Sequence, residues 1–386
     1  MLYLIGIVID FFLVILLLSK NNKSKADKIL VVWLALTGIQ MTLFYLYYTG
    51  AFFTFPFFLG LELPLPLVHG PLLYLYTCAL TDQPVIGKYY VPHFIPFLIF
   101  YGLMIPFVLH TSAYKIAVYQ HQGQGYEKLI IAMNIVAVLS GITYVCLSLY
   151  SLHRHQKNLY NQFSYTERIN LAWLRYLIFG IATIWMAVIW GRDQYIYGLG
   201  TFFVFFIGYF GIKQVGIFTS HHTIKPDQIL IQAATSFNVP EKKTLQPKDE
   251  VMELPVEKSK YLKSGLQDED AVLIHHQLLE FMQKDKLYLD PELTLVDLAQ
   301  KLKVHPNTLS QVINTKEQKN FYDFVNHRRI EEFKRVISSP ESQKYSLLGL
   351  ALQCGFNSKT SFNRNFKKST GVTPSEFLKQ GHFNLN

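Results

Sequence analysis

Cysteine is scarce: the 386-residue chain has three, Cys78, Cys146 and Cys354. No two of them have the spacing of a metal or redox motif, and two fall inside apolar runs, so they read as small buried hydrophobes. Also missing are a phosphate-cradling glycine loop, a nucleophilic triad, a carboxylate pair and a metal constellation. An enzyme is therefore not expected, and neither cofactor nor metal is implied. Charge is sparse as well, at 16% of residues against 50% apolar. Nearly all the apolar excess lies before residue 214, so one chain is built for two solvents.

Leu2 to Leu18 is an apolar run broken only by Gly6 and Asp10. It lacks the basic start and small-residue cleavage site of a secretory signal and is expected to be retained as a first span. Further runs of spanning length follow at Ile29–Tyr48, Leu63–Leu80, Val91–Leu109, Leu129–Leu152, Leu171–Trp190 and Tyr195–Ile212. The third is interrupted by Glu62, Pro64, Pro66 and Pro71, and Phe52–Leu61 could form a separate interfacial or re-entrant piece.

Positive charge gives an independent check on orientation. Lys20, Lys23, Lys25, Lys28, Lys88, Arg154, Lys157, Arg168, Arg175 and Lys213 fall on one side of a seven-span arrangement, and only Lys115, Lys128 and Arg192 on the other. The expected topology is a multi-pass protein of the cytoplasmic (inner) membrane, amino terminus outside and carboxy-terminal region in the cytoplasm. Trp33, Trp173, Trp185 and Trp190 read as belt residues at the membrane interfaces. An ionisable group within a span costs on the order of 3 kcal/mol unless it faces protein, water or a partner, so Asp10 is the candidate sensor residue. Glu62, His69, His93, His110 and His121 match no metal signature and read as interfacial polar residues.

Residues 214–265 are polar, mixed in charge and punctuated by Pro226, Pro240, Pro247 and Pro255, the composition of a linker. Only Ile229–Ala234 is apolar enough to pack on a neighbour. The remainder, 266–386, reads as an all-helical domain. A first amphipathic helix is expected over Asp268–Lys284. Thr294 and Asp297 then have capping-box spacing, Leu295, Leu298, Ala299 and Leu302 form a stripe, Lys303 and Val304 turn the chain, and Pro306 suits the opening of the next helix.

That makes a helix-turn-helix over about 294–314. A long helix, Phe321–Ile337, follows, with Phe321, Phe324, Val325, Phe333, Val336 and Ile337 expected inward and Arg328, Arg329, Lys334 and Arg335 largely outward. The pattern then repeats over about 346–368: Leu347, Leu350, Ala351 and Phe356 stand as Leu295, Leu298, Ala299 and Val304 do. Phe362 and Phe366 correspond to Leu309 and Ile313 after one inserted residue.

Gly355-Phe356-Asn357-Ser358, then Ser361-Phe362, Arg364, Phe366-Lys367-Lys368, Gly371 and Thr373-Pro374, resembles the AraC/XylS family of transcription regulators over about Leu266–Gln380. The resemblance implies that each half offers a recognition helix to the major groove, with the long helix setting their separation. Two such helices on one face of B-DNA enter grooves about 34 Å apart, so one chain reads two neighbouring segments. Ser358, Lys359, Thr360, Asn363 and Arg364 are the candidate base or phosphate contacts of the second helix, with Lys367 and Lys368 suited to phosphates. Pro306, Asn307, Thr308, Ser310 and Gln311 are those of the first. The chain departs from the family at Gln311 and at Leu378, where many relatives carry arginine. From Lys301 onward, fourteen Lys and Arg face six Asp and Glu, an excess suited to nucleic acid.

The expected fold class is thus all-α: a seven-helix transmembrane bundle followed by a helical domain with two helix-turn-helix motifs. The expected function is a one-component regulator that couples a membrane or extracellular stimulus to promoter binding by signal transduction through the bundle. Its partners are double-stranded DNA and the lipid bilayer, the family resemblance adds RNA polymerase, and a homo-dimer is left open. Two other readings stand beside it: a transporter or membrane enzyme with a helical protein-interaction tail, and a DNA-binding protein whose spans only anchor it.

Overall fold

The computed structural model describes residues 2–81, 83, 90–166, 171–189, 193–213 and 268–379. The linker expectation for 214–265, and those placed on Lys88, Arg168, Trp190 and Arg192, lie outside the described residues. The chain is all-α and divides into two compact units, Met1–His155 with Leu171–His222, and Gln156–Asn170 with Thr223–Asn386.

The first unit is a set of apolar helices: α1 (Leu2–Ser19), α2 (Lys25–Tyr48), α3 (Pro66–Leu80), α4 (Ile95–Val108), α5 (Ser112–Gln120), most of α6 (Glu127–Gln162), α7 (Ala172–Ile189) and α8 (Asp193–Lys213). α1 packs on α2 and α8, α8 on α7, and α2 on α3. A capping box starts α2, where Ser24 Oγ accepts from Asp27 N and the Asp27 carboxylate accepts from Ser24 N. The same carboxylate takes Lys20 at 2.8 Å.

By length and composition, five helical segments among the described residues could cross a membrane: Leu2–Ser19, Lys25–Tyr48, Val91–Val108, Glu127–Gln162 and Ala172–Ile189. Tyr195–Phe210 is a shorter apolar helix. α3 has 15 residues, about 22 Å against a hydrocarbon core of about 30 Å. Ahead of it lie two 3-10 turns, Ala51–Phe53 and Pro56–Phe58. At the other extreme α6 has 36 residues, about 54 Å, so its polar end from His153 to Gln162 runs past any bilayer its apolar part occupies.

The tryptophans differ from the belt expectation. Trp33, Trp173 and Trp185 are buried in the core of this unit. They fall on the inward stripes of α2 and α7, beside Leu30, Leu34 and Met41 or Leu174, Leu177 and Ile181. Helical period outweighs residue type here, and the Trp33 indole N–H is satisfied by His69 Nδ1 at 3.1 Å. Cys146 also differs: it is exposed, on a face of α6 that no neighbour covers, whereas Cys78 and Cys354 are buried.

The second unit contains α9 (Asp268–Lys284), α10 (Leu295–Lys301), α11 (Pro306–Lys316), α12 (Phe321–Ile337), α13 (Leu347–Gln353), α14 (Lys359–Thr370) and α15 (Pro374–Lys379). It has two separate apolar cores. Leu278, Met282, Leu298, Leu309, Val312 and Ile313 belong to the first, and Leu350, Phe356, Phe362 and Phe366 to the second. α12 serves both, giving Phe321, Phe324 and Val325 to one and Ile330, Phe333 and Ile337 to the other. One stiff helix thereby fixes the separation of two small subdomains.

Candidate nucleic-acid interface

The two short-helix pairs are built by the same local bonding, displaced by 52 residues. Thr294 and Ser346 cap α10 and α13, their hydroxyl oxygens accepting from Asp297 N and Gly349 N. In the first turn Val304 N donates to Ala299 O at 3.0 Å; in the second, Phe356 N donates to Ala351 O at 3.1 Å. Leu302 N to Leu298 O matches Cys354 N to Leu350 O at 3.1 and 3.0 Å. The turn residues also agree in conformation, Lys303 at φ 56° and Gly355 at φ 88°, both left-handed. These are two copies of one helix-turn-helix unit.

After each turn a second helix starts from a capped residue. His305 Nδ1 accepts from Asn307 N at 3.2 Å ahead of α11, and Ser358 Oγ accepts from Ser361 N at 3.0 Å ahead of α14. On α11, Asn307 is exposed, while Thr308, Ser310 and Gln311 are half-buried. Pro306 corrects the outward expectation: it is buried, because the first turn of α11 sits with its ring against the subdomain.

On α14 the division of faces is cleaner. Ser361, Phe362, Asn365 and Phe366 are buried, and Lys359, Thr360, Asn363, Arg364, Lys367 and Lys368 are exposed. Ser358 is half-buried because its hydroxyl is used as the cap. The exposed set offers ammonium and guanidinium donors with amide and hydroxyl groups, the chemistry that pairs with phosphate oxygens and base edges. Lys368 Nζ reaches Asp323 Oδ1 at 2.6 Å, so part of its charge is shared with α12.

Two residues of α12 organise this domain in ways the sequence does not announce. Tyr322, buried on α12, accepts at its hydroxyl from Arg364 Nη2 and from Asn365 Nδ2, the latter at 2.7 Å. The Arg364 guanidinium also lies 5.7 Å from the Tyr322 ring centroid. Arg329, expected outward, is 1% exposed. It lies on the stripe of Val325 and Phe333, and its guanidinium donates to Tyr288 O at 2.7 Å and to Asp290 O at 2.6 Å. Arginine at a helical inward position is affordable where several carbonyls converge, and nothing local in the sequence announces that convergence.

A second polar cluster stabilises the junction. The Glu332 carboxylate accepts from Arg335 Nε at 3.0 Å and Nη2 at 2.7 Å, from Lys286 Nζ at 2.9 Å and from the Tyr288 hydroxyl at 3.3 Å. Chiefly through Arg335, then Lys286, and against the opposing effect of burial, the carboxyl is held down to about 2 from 4.5. A depressed folded-state value means the stabilisation is fully present above the unfolded value and is lost as pH falls through the folded one. The protection of Tyr288 and Leu289 against hydrogen exchange, relative to the free-peptide rate at each pH, should therefore fall between about pH 4.5 and 2. Glu332→Gln should flatten that dependence; an unaltered acid response in the variant would assign it to another group.

Four of the polar groups expected at the interfaces have separate hydrogen-bond partners. His69 bonds Trp33 and Gln40, His93 Nδ1 meets the Tyr144 hydroxyl at 2.9 Å, His121 Nδ1 lies 2.8 Å from Ala117 O, and Glu62 bonds Tyr119. Among the described residues no three His, Cys, Asp or Glu converge as a metal site would require.

Comparison with known proteins agrees with this geometry. A family model described as a helix-turn-helix domain matches residues 298–380. The chain is similar to the uncharacterized HTH-type transcriptional regulator YijO of Escherichia coli (strain K12), 31% identical over 93 residues, 24% of this chain and 32% of that protein. The chain thus spans about a third of that relative's length. No solved structure matches. The carboxy-terminal region is a helix-turn-helix domain.

Proposed function

We propose that the chain is a membrane-anchored, sequence-specific DNA-binding transcription regulator, a one-component sensor. The observation that carries this reading is the duplicated helix-turn-helix, two units with matching turn bonds on one long helix. Its DNA-binding residues are Asn307, Thr308, Ser310 and Gln311 in the first unit and Ser358, Lys359, Thr360, Asn363, Arg364, Lys367 and Lys368 in the second. Pro306 presets the first helix rather than touching DNA. The exposed basic side chains of α14 supply the salt-dependent part of binding, and Arg364 the selective part.

The five span-length helices support an anchor in the lipid bilayer of the cytoplasmic membrane. The charge asymmetry supports a cytoplasmic carboxy terminus, as does the inclusion of Gln156–Asn170, the connection expected in the cytoplasm, in the helix-turn-helix unit. Promoter DNA is the partner, and a contact with RNA polymerase follows from the AraC/XylS resemblance.

Asp10 is the proposed sensing residue. It is 0% exposed, and both its carboxyl oxygens lack a hydrogen-bond partner among the described residues. Gly38 of α2 lies so close that an added Cβ would stand 2.7 Å from Asp10 Oδ2. A stimulus acts by binding or stabilising one packing of these helices over another. A reporter enzyme fused to the carboxy terminus tests the arrangement: activity confined to the cytoplasm is expected, and activity only outside the cell would end it.

A further inference from the structure

The compact unit that holds the two helix-turn-helix motifs also holds a piece of chain from far away in sequence. Gln156–Asn170 covers the end of α6 and the connection toward α7, and its described part, up to Thr166, contacts Leu293, Thr294 and the α12 residues Tyr322, Asn326 and Arg329. Ser164 is the centre of the contact. Its N–H donates to Leu293 O at 3.2 Å and its hydroxyl to the same oxygen at 2.7 Å. Its carbonyl accepts from Asn326 Nδ2 at 3.0 Å and Arg329 Nη1 at 3.2 Å, and its hydroxyl from Arg329 Nη2 at 3.1 Å. The residue is 1% exposed, so both backbone groups and the side chain are satisfied by residues more than 120 positions away.

Two neighbours extend the seat. Phe163 pairs with Thr294 in an isolated antiparallel bridge, at the residue that caps α10. One helical turn earlier, Tyr160 sets its ring against Tyr322, with centroids 4.9 Å apart and planes at 73°. Tyr322 is the residue that holds Arg364 and Asn365. A connection between two span-length helices therefore reaches the first subdomain through its cap, the junction through Arg329, and the second recognition helix through Tyr322.

We infer that Tyr160–Thr166 is an internal ligand of the helix-turn-helix domain, and that its seating obstructs the approach of DNA to the α14 face. With the segment seated, Tyr160 packs on the Tyr322 ring that holds Arg364, and the end of α6 stands one side chain away from the recognition helix. A duplex needs that approach clear. Because the segment is covalently continuous with α6 on one side and leads to α7 on the other, a rearrangement of those helices pulls on Ser164 directly. Unseating leaves Tyr322 without its Tyr160 contact and frees the recognition face.

The inhibitory role rests on the DNA-binding reading; the seating does not. The test uses the full chain in phospholipid vesicles with Cys146→Ala, Phe163→Cys and Thr294→Cys, since bridged residues suit disulfide geometry. Oxidation should join the two thiols, lower affinity for a DNA site selected by the wild-type chain about tenfold or more, and reductant should restore it. Tyr160→Ala and Ser164→Leu, which leave the α10 cap intact, should each bind that site tighter than wild type. Failure of the thiols to join overturns the seating. Equal or tighter binding when joined, or unchanged binding in both unseating variants, overturns its inhibitory role. Absence of selective binding by the wild-type chain as well overturns the functional reading beneath it.

Discussion

Replacing Arg364 by alanine should remove most of the chain's sequence-selective DNA affinity, between about fivefold and about a hundredfold, while leaving the fold intact. The reason lies in how α14 is held. Phe362 and Phe366 are buried in the second core with Phe333 and Phe356, and none of those contacts involves Arg364. The guanidinium is exposed on the outer face, and its bond to the Tyr322 hydroxyl orients it without burying it. A planar, bidentate donor in that position discriminates guanine edges far better than a point charge does.

Lys367→Ala is the contrasting variant. It should weaken binding to all sequences alike and lower the salt dependence by about one counterion. Competition mobility shifts with the full chain in detergent, using selected and scrambled duplexes at several salt concentrations, separate the two effects. If Arg364→Ala lost specific and non-specific affinity equally, its role would be electrostatic only and the proposed base contact would be wrong.

The second large effect is structural. Gly355 turns the chain at φ 88°, and an added Cβ would stand 2.5 Å from Tyr288 O, 2.9 Å from Leu289 O and 3.0 Å from Arg329 Nε. Two of those atoms are backbone and cannot step aside cheaply. Gly355→Ala should therefore add left-handed strain to a steric clash, together about 2–5 kcal/mol, and raise hydrogen exchange throughout α13 and α14 by at least about 30-fold. Gly371 is the built-in control, with φ 83° and nothing within 4 Å of the added atom. Its alanine variant should bear only the backbone cost, about 1 kcal/mol. Equal behaviour of the two variants would mean that the turn of the second unit does not pack on the Tyr288 carbonyl.

Most of the helical domain was legible because its signals are local. A threonine with an aspartate three residues on, a proline able to open a helix and a stripe of leucines specify α10 and α11 without knowledge of what they touch. The repeat in register was equally readable, since Ala351 and Phe356 follow Leu350 as Ala299 and Val304 follow Leu298. What failed were inferences from residue type alone. Charge alone predicts Arg329 outward, yet the period of α12 puts it between Val325 and Phe333, facing carbonyls supplied from about forty residues earlier. The tryptophans of α2 and α7 were placed at interfaces because they are amphipathic, yet they fill the interior. Tyr322 and Ser164 carried no signal at all, because their roles come from partners 42 and 165 positions away.

In the apolar half, hydropathy locates the long helices but neither their lengths nor the short α5. The run expected to end at Leu152 continues as one helix to Gln162. Its last ten residues are mostly polar, and they keep the helical backbone satisfied from within. That extension brings Tyr160 to Tyr322, so the site's control region was hidden in a stretch that composition alone marks as a loop.

Chromosomal occupancy of the full-length chain in living cells, with its membrane intact, measures the central claim most directly. Discrete bound sites are expected, each with two short conserved segments whose centres lie about 10 base pairs apart, and their occupancy should fall when Arg364 is replaced by alanine. Enrichment no greater than that of a chain truncated before Asp268 would contradict it.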